Sequence, residues 1–121
     1  MDSNPYAPQG LARFRHRAKH LVLSRLAHYN ALYGFRWERV SIRDQRTRWG
    51  SCSSTGTLSF NWRIAVIPAE LADYVIVHEL CHLKHLDHSS DFWAMVERAI
   101  PHHRACRRAL RQIDRLIASR V

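Results

Sequence analysis

The stretch His78-Glu79-Leu80-Cys81-His82 carries the most evident chemistry in this chain of 121 residues. Two histidines four apart lie one turn from each other on one face of a helix, so both imidazoles can reach a single ion. Zinc binds imidazole nitrogen at about 2.0–2.1 Å and suits such a pair. Glu79 flanks the ion rather than pointing straight at it, and a carboxylate there can take a proton from a metal-bound water. The ion prepares that water by lowering its pKa from about 15.7 to about 7. The chain holds nine histidines, so the motif needs a helical context to carry weight. That context is present. Residues 69 to 86 contain no Gly or Pro, and Leu71, Val75, Ile76, Val77, Leu80 and Leu83 make the segment apolar nearly all round, as in a central helix. A polar cluster inside such a helix needs a partner, because burying it unpaired is costly.

A catalytic zinc usually has three protein ligands and one open position. His85 and His88 compete for the third place. His85 continues the helical face, but on a straight helix it lies about 10 Å along the axis from His78, and three ligands strung along one face cannot converge. His88 lies beyond a turn expected at Asp87, where the chain can fold back over the ion. The spacing from His78 to His88 equals that of the metzincin pattern His-Glu-x-x-His-x-x-Gly-x-x-His, although His85 stands at its glycine position. His88 is therefore the expected third ligand, with His85 at the rim or supporting a ligand. Cys81 could ligate zinc by its chemistry, but its place inside the motif suits a small buried residue.

These residues have to be positioned by elements legible in the pattern. Leu11, Phe14, Ala18, Leu21, Val22, Tyr29 and Leu32 recur at helical steps, and Gly34 stops that helix. Residues 1 to 10 read as a loose lead-in. Trp37, Val40 and Ile42 alternate with charged residues, as do Leu58, Phe60 and Trp62 with polar ones, with a turn from Gly50 to Gly56 between them. Ile64 to Ile67 could extend the second strand. Together these predict a small antiparallel sheet with one buried face. Pro68 opens the central helix and Glu70 falls in its first turn. Ser89 or Ser90 caps a further helix that runs to Ile100 and ends at Pro101. A last helix covers about His103 to Ser119, with Cys106, Leu110, Ile113 and Ile117 inside and Arg104, Arg107 or Arg108, Arg111 and Arg115 as a basic stripe. Asp91 reads as a first-turn helix residue. The expected class is α+β, one domain over residues 1 to 121.

Composition bounds the setting. Nineteen Lys+Arg against ten Asp+Glu give a formal net charge of +9, which fits an anionic partner or simply a solvated basic surface. Three cysteines with no Cys-x-x-Cys do not form a disulfide framework, which points to a reducing compartment. No apolar run is long enough for a membrane span and no signal peptide is visible, so the expected location is cytoplasmic with no membrane partner.

Two segments carry a family resemblance. One is Arg43-Asp44-Gln45-Arg46-Thr47-Arg48-Trp49-Gly50-Ser51-Cys52. The other runs from His78 to Ser89 and is followed by Phe92-Trp93; Leu58 to Arg63 between them also fits. Both resemble the YgjP-like metallopeptidases, which are related to the SprT/Wss1-type zincins. The resemblance covers roughly residues 36 to 100. It implies a zincin-like fold, a peptide or protein substrate, one Zn2+ held by His78, His82 and His88, and Glu79 as general base. The chain departs from the usual pattern with Cys81 where Ala is common and Asp87 where Asn is common. It also has only a short lead-in and one helix where many members have a β-rich region, so it is a minimal version.

Arg43, Arg46 and Arg48 could stabilise an oxyanion, grip phosphate, or pack the sheet. Arg48, Asn61, Tyr74 and His85 are candidate contacts to substrate or transition state. The expected function is zinc-dependent peptide hydrolysis. Two alternatives keep the metal: a nucleotide phosphoanhydride hydrolase that uses the Arg motif, and a nucleic-acid-associated protease that uses Arg107, Arg111 and Arg115. A structural zinc site in a binding module would need a fourth protein ligand.

Overall fold

The computed structural model describes residues 8–118. The chain runs through helix α1 (Pro8–Tyr33), strands β1 (Arg39–Arg43), β2 (Gly50–Cys52) and β3 (Thr57–Asn61), a short 3-10 turn (Trp62–Ala65), and helices α2 (Ala69–His82), α3 (Ser90–Ala99) and α4 (His103–Ala118). Four helices with a three-stranded sheet make an α+β fold. Of the expected lead-in, residues 8 to 10 already belong to α1, and residues 1 to 7 lie outside the described part. Gly34 ends α1 with a φ of 72°, a left-handed conformation that glycine adopts without strain, and its N–H donates to the Asn30 carbonyl.

The sheet is mixed, not antiparallel as the alternation suggested. Its order is β1-β3-β2, with β3 parallel to β1 and antiparallel to β2. The chain leaves β1, passes residues 44 to 49 to reach the edge as β2, then reverses at Gly56 and inserts β3 in the middle. Gly50, expected in the turn, is the first residue of β2. The apolar run 64 to 67 does not extend β3. The Asn61 side chain accepts from the Arg63 N–H and caps the 3-10 turn there.

The alternation finds the apolar face of β3, but the strand is central and buried on both faces, with Ser59 and Asn61 covered as well. Leu58 and Phe60 are fully buried and join Trp62, Val22, Leu26, Ile76 and Leu80 in the core. Each such side chain contributes roughly 1.5–3 kcal/mol by leaving water. Polar ties fix α1 on this core. The Arg25 guanidinium pairs both oxygens of Asp73 on α2 at 3.0 and 2.9 Å, and the Tyr29 hydroxyl donates to the same carboxylate at 2.9 Å. Lys19 donates to the Val40 carbonyl of β1, and Tyr33 to the Met95 carbonyl of α3. Helix α1 is thereby tied to α2, β1 and α3. No helix among the described residues is long and apolar enough to cross a membrane. Cys52, Cys81 and Cys106 are free.

Candidate metal centre

The site helix stops at His82, four residues short of the expected end. The backbone tightens there, with the Leu83 N–H donating to the Leu80 carbonyl and the His85 N–H to Cys81. The chain then turns through residues 83 to 88. Ser89, with its hydroxyl accepting from the Phe92 N–H, restarts it as α3. The result is a fold-back that carries His88 over the helical pair.

Three imidazoles converge. The Nε2 atoms of His78, His82 and His88 form a triangle with sides of 3.1, 3.1 and 3.2 Å. These three contacts cannot all be hydrogen bonds. Each neutral Nε2 either carries a proton or does not, so among three atoms at least one pair is alike. Tetrahedral ligation with nitrogens at about 2.0–2.1 Å from zinc separates them by about 3.3 Å, which is close to the observed sides. The donor set is neutral imidazole, the commonest ligand of this ion. The three residues therefore fit a bound zinc, and they are the cluster among the described residues able to hold one.

The other ring nitrogens help to fix this arrangement. His82 Nδ1–H donates to the His85 carbonyl at 2.8 Å, which leaves Nε2 as the lone pair. His85 thus serves the cluster through its backbone; its ring is not in the cluster. His78 Nδ1 lies 3.4 Å from the Tyr74 hydroxyl. Tyr74 is buried. Burial and the neighbouring histidines push His78 down to about 3, so it is neutral at ordinary pH.

The Glu79 side chain lies against β2 at Gly50. It is 7% exposed, and burial raises its carboxyl to about 8, opposed by the charge of Arg48. Gly50 makes room for it. A Cβ at Gly50 would stand 2.9 Å from Glu79 Cγ and 3.1 Å from its Oε2. Cys52, two residues on, feels the same burial and the Glu79 charge, and its thiol rises to about 11. Cys81 also rises to about 11 through burial and stays a protonated, apolar filler.

The remaining candidates are placed elsewhere. The Asn61 amide donates to the Gln45 and Arg48 carbonyls and its oxygen accepts from Arg63, so it braces the loop from 44 to 48. Arg48 is exposed and lines a depression of about 470 Å³ with Arg39, Arg43, Ser51, Thr57 and Ser59, on the sheet face opposite Val40 and Ile42. That depression does not include the histidines. Trp49 bridges from beside β2 to α4, its indole N–H donating to Asp114 at 2.8 Å.

Sequence reasoning from chemistry alone missed Phe92, Trp93 and Gly50. Phe92 is fully buried and stacks on His82 at 4.3 Å, with its ring edge-on to His78 and His88. Trp93 stacks on His88 at 5.7 Å. The signal was available: two aromatics in the first turn after a capping serine, directly beyond the third histidine.

Comparison with known proteins gives a consistent picture. A family model described as YgjP-like, metallopeptidase domain, matches residues 5–113. The crystal structure of the metallopeptidase zymogen abylysin of Pyrococcus abyssi is similar at a TM-score of 0.62 and 32% identity, over 69% of this chain and 84% of that one. The metallopeptidase zymogen jannalysin of Methanocaldococcus jannaschii shares the fold at a TM-score of 0.61 and 24% identity, over 82% of this chain and 96% of that one. No curated protein matches the sequence significantly.

Proposed function

We propose, from the premise that this chain belongs to the YgjP-like metallopeptidase family, that His78, His82 and His88 hold one zinc ion and that Glu79 is the general base of peptide hydrolysis. The observation that carries the ligand set is the triangle of Nε2 atoms, which hydrogen bonding alone cannot satisfy. When bound there, zinc polarises a carbonyl and acidifies a water. The residues of the chain do the rest. Beside a bound zinc's positive charge the ionised form of Glu79 is favoured against the effect of burial, and the carboxylate then takes the proton of the attacking water and returns it to the leaving amine, which converts a poor leaving group into a neutral one. Burial keeps Glu79 from competing solvent, and Gly50 lets β2 lie against it.

The edge of β2 suits the substrate. Among the described residues β2 pairs with β3 on one side and has no strand on the other. An extended peptide can add to that edge through main-chain hydrogen bonds, which selects for backbone rather than sequence. It then passes beside Glu79. The Arg-rich depression on the sheet face is separate from the histidine cluster, which favours a peptide over a nucleotide whose phosphates those arginines would hold.

The test measures zinc content and cleavage of an unstructured protein together, with nucleoside triphosphates assayed in parallel. Wild type should carry one zinc and cleave the protein. Glu79→Gln should keep the zinc and lose about 10²–10⁴-fold in rate. A Glu79→Gln protein that cleaves at the wild-type rate, or a wild type that hydrolyses only the triphosphate, overturns the proposal.

A further inference from the structure

Beyond the histidines, on the side of α3 and α4, Trp93 forms a wall shared by two spaces. One side stacks on His88, 5.7 Å between ring centres and 24° between planes, and its edge meets His78 at 5.7 Å. It also stacks on the His103 ring at 5.2 Å and 16°. With Glu97, His103, Arg104 and Arg107 it lines an open cavity of about 500 Å³. A space of that size takes one extended side chain, and its shared wall puts it next to the metal centre.

The charge inside this cavity is unbalanced. The Arg107 guanidinium stands 5.5 Å from the Trp93 ring centre, a position set by attraction to the aromatic face rather than by a carboxylate. Among the described residues neither Arg104 nor Arg107 has a carboxylate within salt-bridge distance. The cavity's one carboxylate, Glu97, is 63% exposed and faces His103 at 3.9 Å. A guanidinium held over an aromatic ring with no acid in salt-bridge distance among the described residues is a receptor for a carboxylate, because its planar fork matches two oxygens.

We infer that this cavity is a specificity subsite for an acidic side chain next to the scissile peptide bond, with Arg107 pairing its carboxylate and Arg104 adding a second positive charge. The inference rests on the peptidase reading above. It names a substrate class for that reading: peptides with Asp or Glu flanking the cleaved bond. Trp93 then has two roles, since it holds Arg107 in place and packs the aliphatic part of the bound side chain.

The experiment uses matched peptides with Glu, Gln or Lys at the positions flanking the cleaved bond. Values of kcat/KM are measured for the wild type, Arg107→Gln, Arg107→Glu and Arg108→Gln, the last an exposed α4 residue outside the cavity. Affinity for the same peptides is measured by calorimetry on the Glu79→Gln protein. Wild type should favour Glu over Gln by about tenfold at one flanking position, the scale of one charge-assisted hydrogen bond. Arg107→Gln should bring that ratio near one, and Arg107→Glu should turn the preference toward Lys. Arg108→Gln should keep the wild-type ratio, and the affinities should follow the same order. An enzyme that cleaves all three series alike, or an Arg107→Glu protein with the wild-type preference, overturns the subsite and leaves the peptidase reading standing. An enzyme that cleaves none of them overturns both.

Discussion

Replacing Gly50 by alanine isolates the positioning of Glu79 from the binding of metal. The added Cβ would stand 2.9 Å from Glu79 Cγ, 3.1 Å from Glu79 Oε2 and 3.1 Å from the Ser59 carbonyl oxygen. Carbon atoms rest at about 3.5–4.0 Å from one another, so the contact with Cγ is short by at least about 0.6 Å. The Ser59 oxygen belongs to the central strand and is fixed by both neighbours, so β2 has little freedom to move away. The Glu79 side chain has to yield. Backbone conformation adds nothing to this, since Gly50 has no positive φ. Overpacking of this size costs about 1–3 kcal/mol of stability. A displacement approaching 1 Å in a reacting group costs about 10²-fold in rate. Gly50→Ala should therefore lose about two orders of magnitude in kcat while keeping its zinc, measured by metal analysis on the same preparation. Gly34→Ala is the informative contrast. Nothing lies within 4 Å of its Cβ, but its φ is 72°, so it should lose about 1 kcal/mol of stability and no activity. The reasoning fails if Gly50→Ala has wild-type kcat, or if its activity falls only in proportion to lost zinc.

Three further outcomes follow from the same geometry. His88→Ala should abolish tight zinc binding, whereas His85→Ala should retain it, because His85 supports His82 through its carbonyl, which the substitution preserves; equilibrium dialysis against a competing chelator distinguishes them. Tyr74→Phe removes the hydroxyl 3.4 Å from His78 Nδ1 and should weaken zinc binding by about tenfold with the fold intact. Asp44 accepts from the Trp62 indole N–H at 3.1 Å and pairs with Arg63 at 3.0 Å, and these hold its carboxyl below the usual carboxylate range. A folded value below the unfolded one gives stability that is full above the unfolded pKa, near 4, and is lost as pH falls through the folded value. With its side chain 46% exposed the contribution should stay below about 1 kcal/mol, so urea midpoints of the wild type and Asp44→Asn should differ at pH 6 and converge toward pH 2.

What could be read from the sequence was what depends on neighbours along the chain. The pair His78 and His82 follows from helical spacing, the stop at Gly34 from conformational freedom, and the cap at Ser89 from hydroxyl chemistry. The fold-back that brings His88 to the pair follows from a simple exclusion, that a straight helix cannot bring His85 there. Illegible features depend on partners far away in sequence. The alternation of Val40-Ile42 and Leu58-Phe60 shows which face is apolar, but it is the same for parallel and antiparallel neighbours and does not show that β3 is covered on both faces. The insertion of β3 between β1 and β2 goes with the course of residues 44 to 48, which the Asn61 amide braces from 13 and 16 residues away. The early end of α2 has the same character. Leu83 is apolar and keeps helical backbone angles, yet the helix ends at His82, and the His85 carbonyl accepts from His82 Nδ1.

That difference between local and distant determinants divides the site itself. The three converging imidazoles come from eleven consecutive residues, closed by Phe92 four positions later, and their geometry needs little beyond α2 and α3. Glu79 lies in the same stretch but takes its position from the other half of the fold, from Gly50 and the sheet behind it. The cavity beside Trp93 is built from α3 and α4, and α4 is tied to the β2 side through Trp49 and Asp114. On the reading proposed above, metal binding, base placement and side-chain selection fall to three different pairs of elements. Substitutions in β2 should alter turnover without altering metal content. Substitutions on the cavity face of α4 should alter which peptides are cleaved before they alter either. A change at Trp49 is the one expected to couple the last two, because its indole is the link between the strand that positions the base and the helix that carries Arg107.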